Sequence, residues 1–224
     1  GHDGMEAVCV LSAEHVGRRI DHIYPQLTGF CSLVCEPSSV QALKGRCDAV
    51  FLALPHGLSV PLAAELARAG IRCIDLGADF RLRDAALYKE YYHLEHERPD
   101  LLAGAVYGLP EIYRDKIRDA AIVANPGCYP TGAILALAPL LRAGVIEAED
   151  IIVDSKSGVS GAGRGLSLNS HFCEAHESIK AYGIGGHRHQ PEIEQELSAA
   201  AGLPVQITFT PHLVPMNRGI LTTA

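Results

Sequence analysis

The sequence predicts a doubly wound α/β domain followed by a second, α+β unit. Three observations predict it: apolar runs of strand length alternate with amphipathic segments in the first part, glycines follow those segments, and strand-like runs dominate beyond about residue 150. The 224 residues suffice for one large domain or two modest ones, and a hydrophobic content of 48% is ample for a buried core.

The clearest element is a β-α-β unit in the first half of the chain. An apolar run at 49–54 predicts a strand, residues 55–57 break it, and the amphipathic segment 58–69 predicts a helix that Gly70 ends. The apolar run 71–76 predicts the second strand, parallel to the first, with a right-handed crossover as the default.

Weaker patterns predict the remaining elements. Those of the first domain are strands at 5–11 and 121–124 and a helix at 132–143. Those of the second unit are strands at 151–154, 205–209 and 218–224 and a helix at 192–201.

Charge and composition exclude several classes of function. The net charge is −7 and the basic residues are scattered, so we expect no nucleic-acid partner. No apolar run approaches the length of a membrane span and the first residues lack a signal layout, which predicts a cytoplasmic protein without a membrane partner. The seven cysteines are odd in number and form no C-x-x-C pair, so we expect reduced thiols.

One cysteine has surroundings that indicate reactivity. Cys128 lies in N-P-G-C-Y-P-T-G, which joins a predicted strand to a predicted helix. At a helix N-terminus, unpaired N–H groups and the helix dipole favour a thiolate, and the same groups can hold an oxyanion. The alternative is a turn with an inert, packed cysteine.

A second cluster contains two histidines. In an extended segment His187 and His189 would project to one side and Arg188 to the other. One imidazole is a candidate acid/base, with the other imidazole or Glu192 orienting it. The alternatives are a metal half-site, for which no third ligand stands at a recognisable spacing, and an exposed loop without a role.

Two glycine-containing segments are candidate binding loops. Segment 155–165 holds four glycines, several hydroxyls and Arg164, a composition that suits an anion but also a flexible connection. Segment 55–57 follows a predicted parallel strand at the end where α/β sheets bind cofactors, although His56 alone would read as a surface residue.

Taken together, four motifs resemble the N-acetyl-γ-glutamyl-phosphate reductase family. They are N-P-G-C-Y-P-T-G at 125–132, S-G-V-S-G-A-G-R at 157–164, H-R-H-Q-P-E-I at 187–193 and P-H-L-V-P-M-N-R-G-I at 211–220. Further similarity lies at 51–57, 76–82 and 105–111.

The resemblance implies a partial Rossmann-like NADP-binding domain at 1–127 and an α+β catalytic and dimerisation domain at 128–224. It also implies a homodimer or homotetramer, and NADPH-dependent reduction of a small acyl phosphate to an aldehyde through a cysteine thioester, in arginine biosynthesis. The implied catalytic residues are Cys128, His187, His189 and Glu192. The implied substrate contacts are Ser157, Gly158, Ser160, Arg164 and Arg188. The implied cofactor contacts are Ser12, Pro55, His56, Gly57, Pro126 and Asn217, and no metal is expected.

The chain departs from the family pattern at both ends. The family opens with a strand and a G-x-x-G-x-x-G loop that this chain lacks, and its final segment is also missing. Ala13 and Glu14 stand where relatives carry an arginine, for which Arg18 or Arg19 could substitute. The alternatives are a sibling enzyme for aspartyl or aminoadipyl phosphate and a non-catalytic remnant that only forms subunit contacts. Because of the missing loop, we expect the chain as given to bind NADPH weakly.

Overall fold

Strands and helices alternate through the first part of the chain in the computed structural model, which describes residues 2–224. In chain order they are β1 (Val10–Leu11), α1 (Ile20–Ile23), β2 (Cys35–Glu36), β3 (Ala49–Leu52), α2 (Ser59–Arg68), β4 (Arg72–Asp75), α3 (Ala86–Tyr92), α4 (Pro99–Gly104), β5 (Val106–Tyr107), α5 (Pro110–Asp119, kinked at Tyr113), β6 (Ile122–Ala124) and α6 (Cys128–Arg142).

The first domain is built on a parallel sheet with strand order β3-β4-β6-β5. Helix α2 buries Val60, Ala63 and Leu66 in a core that includes Cys73 of β4. Because these residues recur every three positions, they share the face that α2 turns toward the sheet. The doubly wound α/β fold predicted from the sequence is confirmed.

Two predicted starts in the first part of the chain are wrong, and the strands predicted at 151–154 and 205–209 are observed at Ile151–Gly158 and Ile207–Val214. Residues 5–9 do not form the start of a strand: β1 is limited to the two residues that pair with β2, while Met5 and Val8 are 63% and 39% exposed. A strand needs a neighbour to pair with, which apolar composition alone does not supply. Helix α6 begins at Cys128 rather than Gly132, because Pro130 falls in the first turn, where a missing N–H costs nothing.

The second sheet is mixed, with order β10-β7-β9-β8. Its parallel centre pairs β7 with β9 over eight residues, and antiparallel β10 and β8 flank it. The elements of this part are β7 (Ile151–Gly158), α7 (Phe172–Ala175), β8 (Lys180–Ala181), α8 (Gln190–Ala201), β9 (Ile207–Val214) and β10 (Ile220–Thr223).

Helices α6 and α8 cover one face of this sheet. Ile134 of α6 and Ile193 and Leu197 of α8 are fully buried with Val153 and Phe209 of the sheet. Burying side chains of this size contributes roughly 1.5–3 kcal/mol each. The core therefore fixes the beginnings of both helices, which carry Cys128 and the histidine segment. Within residues 2–224, no helix is both long and apolar enough to cross a membrane.

Candidate active site

Cys128 is the first residue of α6 and its side chain is exposed. It follows β6 of the parallel sheet through the turn at 125–127, and Gly127 is the extended residue before the helix, with φ −64° and ψ 156°. The N–H groups of a first helical turn lack intrahelical partners. The thiol is thus presented to solvent beside hydrogen-bond donors able to stabilise an anion.

Glu192 is fully buried beneath this turn. Its Oε1 accepts hydrogen bonds from the Gly127 N–H (2.7 Å) and the Tyr107 hydroxyl (2.7 Å), while its Oε2 lies 3.6 Å from Nη1 of Arg81. Burial raises the pKa of this carboxyl, and the charge of Arg81 opposes that effect. The sequence left open whether Glu192 or the second imidazole orients the acid/base ring. The hydrogen bonds that Glu192 makes among the described residues hold Gly127, the residue before Cys128, and Tyr107.

Arg81 holds the other end of the same turn. Its Nε donates to the Asn125 carbonyl (2.7 Å) and its Nη2 to the Leu76 carbonyl (3.0 Å). The turn before the cysteine is therefore fixed from two sides, by a buried carboxylate and by a guanidinium. Sequence reasoning did not single out Arg81 as functional, although it lies in the family-like segment 76–82.

The two histidines form a turn before α8, not the predicted extended segment, because Nδ1 of His187 accepts the His189 N–H at 3.1 Å. The neutral His187 ring must then carry its proton on Nε2. The rings still lie together, with centroids 4.9 Å apart, and both pack edge-on against Tyr129, the residue after Cys128.

His189 is the ring that contacts the cysteine turn. A β-carbon built on Gly127 would lie 2.8 Å from Nε2 of His189 and 3.0 Å from Oε2 of Glu192. The absence of a side chain at position 127 therefore lets an imidazole and a carboxylate approach the residue that precedes Cys128.

Burial keeps both imidazoles neutral. It lowers the pKa of His187 to about 4, assisted by the charge of Arg188. It lowers the pKa of His189 to about 2, with His187, Arg81 and Arg188 adding to the effect. A neutral imidazole has an unprotonated ring nitrogen that can accept a proton.

These pKa values predict a loss of stability in acid. Unfolded histidines take up protons below about pH 6.5, whereas His187 and His189 do so only near their depressed pKa values. Stability is thus complete above about pH 6.5 and declines as the pH falls toward 4. We expect the melting temperature to fall more steeply over this range in wild type than in a His187→Asn/His189→Asn variant. The exposed His93→Asn should keep the wild-type slope; equal slopes in all three would contradict the assignment.

The predicted cofactor turn is fixed by a carboxylate that sequence reasoning missed. The Asp79 side chain accepts the N–H groups of Gly57 (2.8 Å) and Ser59 (3.0 Å) at the start of α2. These amides already have a partner within the chain. Residues 55–57 are therefore suited to contacting a ligand by shape, not to binding its phosphates through backbone N–H groups.

His56 joins this turn to the histidine segment. Its Nε2 lies 2.8 Å from Nη1 of Arg188, and its ring packs edge-on against Tyr92. Because a guanidinium only donates, Nε2 accepts and the proton is on Nδ1. Burial lowers the pKa of His56, and the charge of Arg188 lowers it further. His56 was predicted to contact the cofactor and Arg188 the substrate. The two residues, 132 positions apart in the chain, are thus in direct contact.

The predicted substrate loop packs against the segment that contains Asn217. The Ser160 N–H donates to the Asn217 carbonyl (3.1 Å), and a β-carbon on Gly158 would lie 2.8 Å from the backbone nitrogen of Arg218. Glycine at 158 is therefore required for this close approach. Ser157 is buried, with its hydroxyl donating to the Gly158 carbonyl.

Other candidate residues lie in local contacts of their own. The Arg164 guanidinium stacks 4.8 Å over the ring of Tyr24, and the Ser12 hydroxyl accepts the His15 N–H at 3.1 Å. Of the two arginines considered as substitutes, Arg19 is paired with Asp21, and Arg18 is exposed. Pro126 is buried in the turn before Cys128. Residues 2–224 contain no cluster of His, Cys, Asp and Glu side chains arranged to hold a metal ion.

Two family descriptions match this chain. The model of the semialdehyde dehydrogenase NAD binding domain matches residues 1–120, and that of the semialdehyde dehydrogenase dimerisation domain matches residues 128–224. Curated relatives named N-acetyl-γ-glutamyl-phosphate reductase include those of Pelotomaculum thermopropionicum, at 55% identity, and Moorella thermoacetica, at 53%. Each alignment covers 99% of this chain and 64% of the relative, so the chain spans less than two thirds of those proteins.

Solved structures support the same fold at low sequence identity. Aspartate semialdehyde dehydrogenase II from Vibrio cholerae superposes with a TM-score of 0.62 at 17% identity, covering 96% of this chain and 64% of that one. The Candida albicans aspartate semialdehyde dehydrogenase with NADP gives 0.61 at 13% identity, covering 99% and 63%.

Proposed function

This chain belongs to the semialdehyde dehydrogenase family, and we propose that it reduces N-acetyl-γ-glutamyl phosphate to N-acetylglutamate 5-semialdehyde. We propose that NADPH is the reductant and that the reaction belongs to arginine biosynthesis in the cytoplasm. The names of relatives above 50% identity support the substrate. The observation that carries the chemistry is an exposed cysteine at the start of a helix, with its preceding peptide held by a buried carboxylate and facing an imidazole.

In the first step, the Cys128 sulfur attacks the γ-acyl carbon and inorganic phosphate leaves, which gives a thioester. The N–H groups at the start of α6 stabilise the oxyanion formed during the attack. His189 accepts the thiol proton and returns it to the departing phosphate. The approach of the anionic acyl phosphate raises the proton affinity of this ring, offsetting the effect of its burial.

In the second step, the thioester carbon receives a hydride, which is the chemistry that NADPH supplies when bound. The resulting tetrahedral oxyanion re-forms its C=O bond and expels the sulfur of Cys128 as a thiolate, which releases the aldehyde. His187 fixes the turn through its bond to the His189 N–H, so its role is to hold the acid/base ring in place. Arg188 is exposed and close to both rings, where its charge suits a phosphate or carboxylate of the substrate.

We propose a cofactor site around His56, and a buried polar atom without a hydrogen-bond partner supports it. Nδ1 of His56 has no hydrogen-bond partner among residues 2–224 and lies at the carboxyl ends of the parallel strands, where α/β sheets bind ligands. The proposed contacts are Ser12, Pro55, His56, Gly57, Pro126 and Asn217. Arg18, exposed on the segment that follows Ser12, is the proposed contact to the 2′-phosphate that distinguishes NADP from NAD.

The proposed partners are the small acyl phosphate and further copies of the same chain, as a homodimer or homotetramer assembled through residues 128–224. The family description of that segment as a dimerisation domain supports this assembly.

The reverse reaction tests the substrate. We expect phosphate-dependent reduction of NADP⁺ with N-acetylglutamate semialdehyde to exceed that with aspartate semialdehyde by about 100-fold in kcat/KM, because a site shaped for the longer, acylated substrate loses contacts with the shorter one. The protein should be assayed at full length, and the same assay should be repeated with NAD⁺ in place of NADP⁺. Preference for aspartate semialdehyde would replace the proposed substrate. Absence of turnover with both, together with a Cys128 that iodoacetamide labels no faster than other cysteines, would indicate an inactive remnant.

A further inference from the structure

Helix α8 carries two buried glutamates, one turn apart, with matching partners. The first trio is Tyr107, Glu192 and Arg81, and the second trio is Tyr113, Glu196 and Arg83. In each, a tyrosine hydroxyl donates to the carboxylate and an arginine faces its other oxygen. The two glutamates are 0% and 1% exposed.

The first trio contacts the nucleophile turn. Oε1 of Glu192 receives both the Tyr107 hydroxyl and the Gly127 N–H, each at 2.7 Å. Arg81, 3.6 Å from Oε2 of Glu192, donates to the Asn125 carbonyl. Tyr107 therefore acts on the peptide before Cys128 through one shared oxygen atom.

The second trio contacts different elements. Tyr113 donates to Oε2 of Glu196 (2.5 Å), and Nη2 of Arg83 lies 2.7 Å from Oε1 of the same carboxylate and 3.1 Å from the Tyr113 hydroxyl. Gln195 adds bonds to the backbone of Arg83 and Arg81. This trio joins α8 to the segment after β4 and makes no hydrogen bond to residues 125–128 within the described chain.

We propose that Tyr107 and Arg81 are positioning residues for the nucleophile: Tyr107 acts through Glu192 on Gly127, the residue before Cys128, and Arg81 acts through Glu192 and directly on the Asn125 carbonyl. Without the Tyr107 hydroxyl, the carboxylate of Glu192 is less stable as an anion and takes up a proton more readily. A protonated carboxyl is a poorer acceptor for the Gly127 N–H. The start of α6 then loses its fixed direction, and with it the alignment of the N–H groups that stabilise charge on sulfur. The inference uses the proposed function only in taking Cys128 as the nucleophile.

The two trios allow a matched experiment. Tyr107→Phe and Tyr113→Phe each remove one hydroxyl from a buried glutamate of α8, so a purely structural role predicts similar losses of thermal stability and no difference at Cys128. We expect Tyr107→Phe alone to slow alkylation of Cys128 by iodoacetamide about tenfold at neutral pH, and to move the pH profile of alkylation upward. It should also lower kcat with little change in KM, because the substrate contacts remain. Peptide mapping separates Cys128 from the other six cysteines.

Each outcome decides the inference. Equal alkylation profiles in the two variants, with a fast Cys128 in wild type, would overturn the positioning role and leave the proposed function intact. A wild-type Cys128 that reacts no faster than the exposed Cys173 would remove the nucleophile and the positioning role together. Should Tyr107→Phe fail to fold, Arg81→Lys against Arg83→Lys gives the same comparison, since only Arg81 contacts the turn.

Discussion

Replacing Cys128 by alanine is expected to lower kcat by about 10⁴-fold or more in the phosphate-dependent reduction of NADP⁺. Alanine at the first position of α6 fits the helix and leaves the contacts of Glu192 and Arg81 unchanged, because Cys128 is exposed and takes no part in them. The loss therefore belongs to the missing sulfur. We expect steady-state kinetics to show the loss in kcat and thermal unfolding to show an unchanged melting temperature.

The matched control is Cys173→Ala. Cys173 is also an exposed, free cysteine, but it lies in the short helix α7. We expect this variant to retain wild-type kcat and KM. Substantial turnover by Cys128→Ala, or an equal loss in Cys173→Ala, would contradict the covalent mechanism.

Gly127→Ala is expected to lower kcat by about 100-fold. A loss of this size is typical when reacting groups are displaced by about an ångström. The added methyl would lie 2.8 Å from Nε2 of His189 and 3.0 Å from Oε2 of Glu192. Neither side chain can move cheaply, since His189 is 7% exposed and Glu192 is tied by two hydrogen bonds. The conflict therefore shifts the turn, the imidazole or both.

The control for this change is Gly104→Ala at the end of α4, where a β-carbon meets no atom within 4 Å. It should leave kcat unchanged, because the added methyl group has space and displaces no neighbouring atom. Wild-type kcat in Gly127→Ala would show that the close approach of His189 to the turn has no role in turnover.

The fold was predictable wherever the local pattern and the tertiary contacts agree. The unit of β3, α2 and β4 was predicted nearly to its ends because both strands coincide with apolar runs and Gly70 ends the helix with a positive φ of 70°. Strand β7 is longer than its apolar run, since Ser155, Lys156 and Ser157 keep pairing with β9 and β10. Pairing partners of that kind are set by distant residues.

The sequence predicted which reactive residues lie in the site, but not the contacts that hold them in place. Cys128 and the histidine pair are reactive residues in distinctive motifs, so sequence reasoning found them. The contacts of Glu192 with Gly127 and Tyr107 were not predicted, because these partners are 65 and 85 positions away. Asp79, Arg81 and Tyr107 carry no motif of their own. Their only signal was that they lie in segments 76–82 and 105–111, which resemble the family.

The most direct test of a thioester on Cys128 is mass spectrometry of the trapped acyl-enzyme. The full-length protein would be mixed with N-acetyl-γ-glutamyl phosphate in the absence of NADPH, quenched in acid and mapped by peptide. A thioester mechanism predicts an N-acetylglutamyl group on Cys128 that disappears when NADPH is added and never forms in Cys128→Ala. Turnover in wild type with the acyl group on another residue, or with no acyl group on any peptide, would contradict it.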